Sequence, residues 1–178
     1  AQSDEIALDL VRLNAVLNEV KSAYSQFQLW LEPGRYLVAD AGVLLTRVTQ
    51  IKHKGSMRYI GVDTGMNSLI RPALYEAHHE ILPVREPERD APVWVADVVG
   101  PVCESGDYLA QGRAIATPRE GDLLAVMSAG AYGAVQSGTY NTRPLVPEVL
   151  VRGDQYAVVR PRLEVEDIIA LDRVAPWL

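Results

Sequence analysis

The sequence predicts a mainly β protein, built as a β-barrel or sandwich, with one helix at its start. From Leu29 onward the chain is rich in β-branched residues, and glycine, proline and asparagine interrupt it at short intervals, which is typical of strands joined by turns. Before Leu29, apolar residues instead recur every three or four positions, as on one face of a helix. A chain of 178 residues with 48% hydrophobic residues is long enough to bury a core.

The first predicted element is a helix that runs to about Tyr24. Ser3 or Asp4 can cap its N-terminus, because a short polar side chain there accepts hydrogen bonds from the free backbone N–H groups of the first turn. The apolar face of this helix consists of Ile6, Leu10, Leu13, Leu17, Val20 and Tyr24.

Seven segments are predicted as strands by their β-branched and aromatic residues: Leu29–Leu31, Tyr36–Ile51, Tyr59–Val62, Val93–Val99, Leu123–Ser128, Pro147–Val151 and Tyr156–Val159. The second is too long for one straight strand, so a bend or bulge is expected at Gly42. A short helix, Leu163–Leu171, closes the chain. The pattern leaves two arrangements open: a β-barrel or sandwich with a helical appendage, or the last α–β step of a (β/α)₈ barrel followed by a β domain.

The composition excludes several classes of function. A net charge of -6 argues against binding to nucleic acid or to an anionic membrane, both of which require a basic surface. No apolar run reaches the roughly 20 residues that span a bilayer, and the start does not resemble a signal peptide. Cys103 is the single cysteine, so no internal disulfide can form, which fits a cytoplasmic protein.

Two glycine-containing turns are candidates for ligand contact. In the segment Glu32–Arg35, Gly34 would permit close approach of a ligand to the backbone, and Arg35 offers a planar set of donors suited to phosphate or carboxylate. From these residues alone, a turn with an exposed ion pair is the favoured interpretation. Tyr132 lies among small residues in Gly130–Gly133, where its hydroxyl could point at a ligand or merely complete a β-turn.

The polar stretch Asp63–Tyr75 follows a predicted strand, a place where loops often carry function. Arg71 and Tyr75 lie four positions apart and would share a face of a helix. Pro72 permits only a helix that begins at about that residue. The alternative is a loop with an arginine that faces the solvent.

Cys103 lies beside Glu104 in a glycine-bounded loop, Gly100–Asp107. A thiol can act as a general acid, although a single cysteine is often a small buried apolar residue. The segment His78–Glu80 does not indicate a metal site, because adjacent side chains of an extended strand point to opposite faces. Without another histidine or cysteine at ligand spacing, we predict no metal site.

Four motifs, in this order, resemble the diaminopimelate decarboxylases. The motifs are EPGR, VDTGMNSLIRPALYEAHHEI, VVGPVCESGD and GDLLAVMSAGAYGAVQSGTYNTRPLVPEVLV. The resemblance extends from Leu29 to about Leu171, and the joint pattern is specific. These enzymes belong to the pyridoxal-phosphate (PLP)-dependent decarboxylases related to alanine racemase.

The resemblance implies a particular domain organisation. Members of the family have an N-terminal (β/α)₈ barrel that binds PLP and a C-terminal β-barrel domain that completes the site. Residues 1–35 would then be the last helix and strand of the first barrel, and residues 36–178 the β-barrel domain. The only lysines, Lys21, Lys52 and Lys54, do not match the lysine that binds the cofactor. We therefore expect the C-terminal part of the enzyme, which is inactive by itself.

The resemblance also implies which residues contact the cofactor. Glu32 would face the pyridinium nitrogen of PLP, where a carboxylate keeps the ring protonated. Gly34 and Arg35 would contact the phosphate, and Arg35 would also reach the substrate. Tyr132 would contact both cofactor and substrate.

Four further residues are implied at the substrate, meso-diaminopimelate. Arg71 would pair with the distal carboxylate, and Tyr75 would help to hold the same end. Cys103 would donate the proton that replaces CO₂, and Glu104 would bind the distal ammonium group. Cys103 and Glu104 would come from the other subunit, which implies a homodimer with composite active sites.

The implied reaction is the decarboxylation of meso-diaminopimelate to L-lysine and CO₂ in lysine biosynthesis. Related ornithine-type decarboxylases have an aspartate after the cysteine and no arginine like Arg71, because their substrates lack the distal carboxylate. Glu104 after Cys103, together with Arg71, therefore favours diaminopimelate. Two alternatives stay open: a PLP-dependent decarboxylase of another amino acid, and a non-catalytic β-barrel dimerisation module.

Overall fold

The computed structural model describes residues 7–178, which divide into two compact units between Gly34 and Arg35. In the first unit, helix α1 (Leu10–Ala23) begins after Asp9, whose carboxylate accepts hydrogen bonds from the N–H groups of Val11 and Arg12 at 3.0 Å. Asp9 therefore caps the helix, whereas the sequence predicted a cap nearer to the start of the chain. The predicted caps, Ser3 and Asp4, lie outside the described residues.

A six-stranded sheet dominates the second unit, which confirms the predicted mainly β fold. Its strands are β1 (Leu44–Lys54), β2 (Met57–Val62), β3 (Ile81–Pro83), β4 (Val93–Val99), β5 (Tyr108–Ala116) and β6 (Leu123–Val126). They lie in the order β3-β6-β1-β2-β4-β5, and the two edge strands, β3 and β5, approach each other. The sheet is therefore a nearly closed barrel.

One pair of neighbouring strands in the sheet is parallel. Strand β2 pairs with β4 in parallel, with Tyr59 opposite Asp97 and Gly61 opposite Val99. The long connection between them, which contains helix α3 (Arg71–Tyr75) and β3, makes this crossover possible. All other pairs in the sheet are antiparallel.

The hydrophobic core lies inside this barrel. Side chains of alternate strand residues point inward, as the period of two in a strand requires. The buried core residues are Val48, Ile60, Val62, Leu69, Ile81, Ala96, Val98, Leu109, Ala110, Ile115, Leu124 and Val126. Every strand of the barrel contributes to this set, so the core joins residues that are far apart in the sequence.

Two predicted strands are wrong. Residues 34–41 form helix α2 (Gly34–Val38) and a 3₁₀ turn (Ala39–Ala41), so the strand expected from Tyr36 begins only at Leu44. The Ala39 carbonyl accepts hydrogen bonds from Gly42 and Gly130, which hold the chain in this turn. No strand forms at Leu29–Leu31, because a strand needs a neighbour and the described residues provide none there.

Two strands were not predicted. Strand β5 is interrupted by Gly112, which has a φ of 56° and donates its N–H to the Asp97 carboxylate at 2.7 Å. This irregularity breaks the alternation by which strands are recognised. Strand β3 has only three residues, too few for a sequence pattern.

The chain ends with a hairpin and a short helix. Strands β7 (Glu148–Arg152) and β8 (Gln155–Arg160) pair only with each other, and both follow the predicted segments closely. Helix α4 (Val165–Ile169) is shorter than predicted, and Glu164 and Asp167 form a capping box at its start.

Candidate functional site

Three loops meet at one end of the barrel. The parallel strands β2 and β4 end on the same side of the sheet, and β6 runs in the same direction because both β2 and β6 are antiparallel to β1. The loops that follow these strands, residues 63–70, 100–107 and 127–143, therefore converge. They contain or adjoin most of the residues that the sequence singled out.

Asp107 joins the first two loops. This side chain is 4% exposed, and its carboxylate accepts hydrogen bonds from the N–H groups of Met66 and Val102, each at 2.6 Å. A Cβ atom added to Gly65 or Gly100 would collide with the carboxylate. Both glycines are therefore needed so that the backbone can wrap closely around Asp107.

Asn67 joins the first loop to the third. Its side-chain amide donates to the Tyr140 carbonyl at 2.9 Å and to the Gly138 carbonyl at 3.3 Å, while the Gly138 N–H donates to the Asn67 carbonyl at 2.9 Å. Arg143 adds a further bond, from Nη2 to the Asp63 carbonyl at 2.9 Å. The loops thus form one hydrogen-bonded framework.

Arg71 begins helix α3, and Pro72 occupies the first turn, as predicted. Arg71 is half-buried, and its Nη1 atom lies 3.1 Å from Nε2 of His79. The interpretation of Arg71 as a solvent-facing loop residue is therefore wrong. Tyr75, at the end of the same helix, is 58% exposed.

His79 is buried, with 2% exposure, whereas the adjacent His78 is exposed. The Nδ1 atom of His79 lies 2.8 Å from the Met127 carbonyl. Burial lowers the pKa of His79 below the ordinary value of 6.5, and the positive charge of Arg71 acts in the same direction, while the hydrogen bond to Met127 opposes both. His79 is therefore neutral at pH 7.

Cys103 is exposed, so its interpretation as a small buried apolar residue is wrong. Its sulfur lies 3.5 Å from Nδ2 of Asn141, a residue with a φ of 57°. Glu104 is also exposed, and its Oε1 atom accepts hydrogen bonds from Ser105 Oγ at 3.2 Å and from the Gly106 N–H at 3.4 Å. Both side chains point away from the core and are accessible to a ligand.

Tyr132 lies in the third loop with a φ of 57° and is 48% exposed. The same loop holds the segment that contains Arg35: Gly130 donates its N–H to the Ala39 carbonyl at 2.9 Å, and Ser128 Oγ donates to the Asp40 carboxylate at 2.5 Å. Arg35 is exposed, as are Glu32 and Gly34, which belong to the first unit.

The structure thus attaches Arg71, Cys103 and Tyr132 to one framework of loops. Among residues 7–178, the Arg71 side chain is hydrogen-bonded to His79 and the Cys103 side chain to Asn141, whereas Tyr132 is positioned by the third loop in which it lies; none of the three is bonded to another. Sequence reasoning missed the residues that organise the framework: Asn67, His79, Asp107 and Asn141. Their signal is weak in the sequence, because each acts through backbone groups distant along the chain.

Residues 7–178 contain neither a cluster of metal-binding side chains nor a helix able to span a membrane. No group of three or more histidine, cysteine, aspartate or glutamate side chains is placed to hold a metal ion. Within the same residues, no helix combines the length and the apolar character that crossing a membrane requires.

The fold and the site define a barrel-like sheet domain that presents ionisable side chains on loops at one end. The family described as pyridoxal-dependent decarboxylase, C-terminal sheet domain, matches residues 23–130. The chain therefore belongs to the pyridoxal-dependent decarboxylases and carries their C-terminal sheet domain. This finding confirms the resemblance seen in the sequence.

The curated relatives of the chain include diaminopimelate decarboxylases. The protein from Pseudomonas fluorescens is 53% identical over 148 residues, which is 83% of this chain and 35% of the relative. The protein from Zymomonas mobilis subsp. mobilis is 48% identical over 151 residues, 85% of this chain and again 35% of the relative. The chain thus spans about a third of the length of these relatives.

Solved structures show the same likeness. The Helicobacter pylori diaminopimelate decarboxylase complexed with L-lysine has a TM-score of 0.84 and 34% identity, over 95% of this chain and 41% of that one. The M. jannaschii diaminopimelate decarboxylase in co-complex with L-lysine has a TM-score of 0.88 and 32% identity, over 100% of this chain and 41% of that one. An arginine decarboxylase of Paramecium bursaria Chlorella virus, 17% identical with a TM-score of 0.68, shares the fold.

Proposed function

We propose that this chain is the C-terminal domain of a diaminopimelate decarboxylase, which as a complete enzyme converts meso-diaminopimelate to L-lysine and CO₂ in lysine biosynthesis. The observation that carries the proposal is the state of Arg71. Arg71 is half-buried, its guanidinium group lies against a neutral imidazole, and within residues 7–178 no carboxylate forms an ion pair with it. A partly desolvated cation without a counterion favours an anionic ligand.

The distal carboxylate of diaminopimelate is such a ligand. Diaminopimelate differs from lysine by this one carboxylate, so the enzyme must bind it while the other carboxylate leaves as CO₂. The planar guanidinium of Arg71 can hold a carboxylate through two parallel hydrogen bonds, which an ammonium group cannot. Tyr75, one helical turn further on, is exposed and available to contact the same end of the substrate.

The residues of this chain fit PLP in part. Arg35 is exposed and can receive a phosphate group, and the resemblance implies the same contact for Gly34. Glu32 would face the ring nitrogen, and Tyr132, exposed in its left-handed conformation, would contact cofactor and substrate. When bound, PLP supplies the electron sink for loss of CO₂. Because Lys21, Lys52 and Lys54 do not match the cofactor-binding lysine, that residue would come from a PLP-binding domain.

Residues 1–35 would accordingly be the last helix of that PLP-binding barrel and its last strand, which at Leu29–Leu31 lacks a neighbouring strand among the described residues, and residues 36–178 the separate sheet domain. The division of the described residues between Gly34 and Arg35 supports this assignment. The exposed free thiol and the absence of a second cysteine support a cytoplasmic location.

Cys103 would be the general acid. The bond between Cα and the departing carboxylate breaks, and the proton of the Cys103 thiol replaces CO₂ at Cα. Glu104 would bind the distal ammonium group. Both side chains are exposed at the end of the barrel and are therefore able to reach a site on another subunit. The active sites would then be composite, and a homodimer would be required.

A chimeric enzyme tests the proposal, with this chain in place of the matching C-terminal part of the Pseudomonas fluorescens relative. The chimeric enzyme should release CO₂ from meso-diaminopimelate, whereas the chain alone with PLP should not. A folded chimera that binds PLP without this activity would contradict the proposal. Activity on another amino acid instead would establish the alternative of a different decarboxylase.

Arg71→Leu in the chimeric enzyme should lower kcat/KM for meso-diaminopimelate roughly 30-fold or more, because loss of a buried charge-assisted pair costs about 2–5 kcal/mol. Arg152→Leu is the matched control, since this arginine is exposed in the β7–β8 hairpin. Steady-state kinetics measure both variants. Equal effects of the two substitutions would show that Arg71 does not bind the substrate.

The composite site predicts complementation between two inactive variants of the chimeric enzyme. One lacks the cofactor-binding lysine, and the other carries Cys103→Ala. In a mixed dimer, one of the two sites receives an intact lysine from one subunit and an intact Cys103 from its partner. Random exchange of subunits should therefore restore roughly a quarter of the parent activity. If verified exchange restores nothing, Cys103 serves the site of its own subunit.

A further inference from the structure

His79 has two ring nitrogens with different partners, and these partners determine its tautomer. The Met127 carbonyl can only accept a hydrogen bond, so Nδ1 must carry the proton across the 2.8 Å contact. The guanidinium of Arg71 can only donate, so Nε2 must be the unprotonated acceptor across the 3.1 Å contact. The neutral Nδ1–H tautomer satisfies both contacts at once.

The backbone around His79 is held on both sides. Nη1 of Arg113 donates to the His79 carbonyl at 2.9 Å, and the Met127 N–H donates to the Glu80 carbonyl at 2.8 Å. The imidazole ring itself is 2% exposed. A buried ring with fixed backbone and two hydrogen bonds has one orientation, so it can impose an orientation on Arg71.

The charged groups near His79 disfavour its protonation. Burial lowers the pKa of His79 most, and Arg71 on α3, Arg113 on β5 and the adjacent His78 act in the same direction. The carboxylate of Glu80 lies 3.9 Å from Arg113 and is largely exposed, so it compensates little. Protonation would also remove the lone pair that accepts from Arg71 and place two cations in contact.

We propose that His79 is a positioning residue that aims the guanidinium of Arg71 at the distal carboxylate of the substrate. The inference rests on the proposed function, in which Arg71 binds that carboxylate. A carboxylate partner would neutralise the charge of Arg71. Because His79 is neutral, it orients Arg71 and leaves that charge available for the substrate. Within residues 7–178, one N–H of the guanidinium is engaged, and the others remain for the substrate.

Two substitutions separate the two hydrogen bonds of His79. In His79→Gln, the side-chain oxygen can replace Nε2 as the acceptor for Arg71. In His79→Asn, the side-chain amide can replace Nδ1 as the donor to Met127 but does not reach Arg71. In the chimeric enzyme, His79→Asn should raise KM for meso-diaminopimelate about 10-fold with a smaller change in kcat, and His79→Gln should stay within about threefold of the parent.

The pH profile provides a second readout. As the pH falls through the lowered pKa of His79, the imidazole of the parent is protonated and releases Arg71, whereas glutamine does not titrate. The ratio of kcat/KM of the parent to that of His79→Gln should therefore decrease toward low pH. A ratio that does not change with pH down to the acid limit of folding would contradict the proposal.

A double substitution distinguishes positioning from a structural role. With Arg71→Leu already present, His79→Asn should cause no further loss of kcat/KM, because no guanidinium remains to be aimed. A further loss there, or equal damage by His79→Asn and His79→Gln, would overturn the proposal. If Arg71→Leu itself changes nothing, the assignment of Arg71 as a substrate ligand fails instead, and the proposed function loses its main support.

The tautomer can be measured even if a variant does not fold. In this chain, nitrogen-15 shifts of the His79 ring at pH 7 should show a protonated Nδ1 and an unprotonated Nε2. A protonated Nε2 could not accept a hydrogen bond from Arg71, and this result would overturn the proposal without any activity measurement.

Discussion

The barrel and the β7–β8 hairpin are built from similar residues but differ in burial. Strand β6 of the barrel, Leu123–Val126, buries Leu124 and Val126 completely. Strand β7 of the hairpin contains Val149, Leu150 and Val151, and these three side chains are 49–65% exposed. Composition therefore does not decide burial. The barrel has six strands around a shared interior, and β6 has a neighbour on each side, whereas in the described residues the hairpin has only its own two strands.

This difference in burial between the barrel and the hairpin explains why the candidate site lies at the end of the barrel. The barrel holds its loops through buried groups such as Asp107, which fix backbone positions to within hydrogen-bonding distance. The hairpin has an ion pair, Arg160–Glu148 at 2.6 Å, but both side chains are more than a third exposed. Such pairs contribute little to stability, because water and salt screen them. A site that must orient a guanidinium needs the rigidity of the barrel.

The largest expected effect tests the close packing of the barrel end. Gly130→Ala would place a Cβ atom against the Val38 carbonyl and 2.8 Å from the Gly42 nitrogen, both backbone atoms that cannot rotate away. The free energy of unfolding in urea should fall by about 4 kcal/mol. Gly138→Ala is the matched control, because nothing lies within 4 Å of its Cβ position. Equal stability of the two variants would show that Gly130 does not pack against the backbone of Val38 and Gly42 as described.

A matched pair of leucines sharpens the contrast between barrel and hairpin. Leu124→Ala removes a completely buried side chain and should cost about 3 kcal/mol of unfolding free energy. Leu150→Ala removes a side chain that is 63% exposed and should change the free energy by about 0.5 kcal/mol or less. Urea denaturation followed by circular dichroism measures both. A large effect at Leu150 would break the comparison, because it would mean that the hairpin packs against something in solution.

The smallest expected effect is the pH dependence of stability. Since burial lowers the pKa of His79 in the folded state, the unfolded chain binds more protons than the folded chain just below pH 6.5. The contribution of His79 to stability is therefore fully present above pH 6.5 and declines as the pH falls toward the folded-state pKa. Urea denaturation of the parent chain and of His79→Gln at several pH values measures this. If the stabilities of the two chains change with pH in the same way, the pKa of His79 is not lowered in the folded state.

Much of the fold was predictable because local pattern and final structure agree in most strands. Val93–Val99 was predicted with its observed bounds, and α3 begins where Pro72 allows it. The failures have a common cause. Residues 36–41 have the composition of a strand, but contacts with Gly130, far along the chain, hold them in helical turns. The bulge at Gly112 likewise depends on Asp97 in the neighbouring strand.

For the candidate site too, some properties could be predicted from the sequence and others could not. The sequence by itself determined the family resemblance, the mainly β fold and the residues able to bind charged groups, because these depend on residue type and order. Only the tertiary structure decided that Cys103 is exposed, that Asp107 joins two loops and that His79 faces Arg71. These properties depend on which backbone and side-chain groups meet in space. Such meetings result from closure of the barrel, which brings residues as far apart as His79 and Met127 into hydrogen-bonding contact.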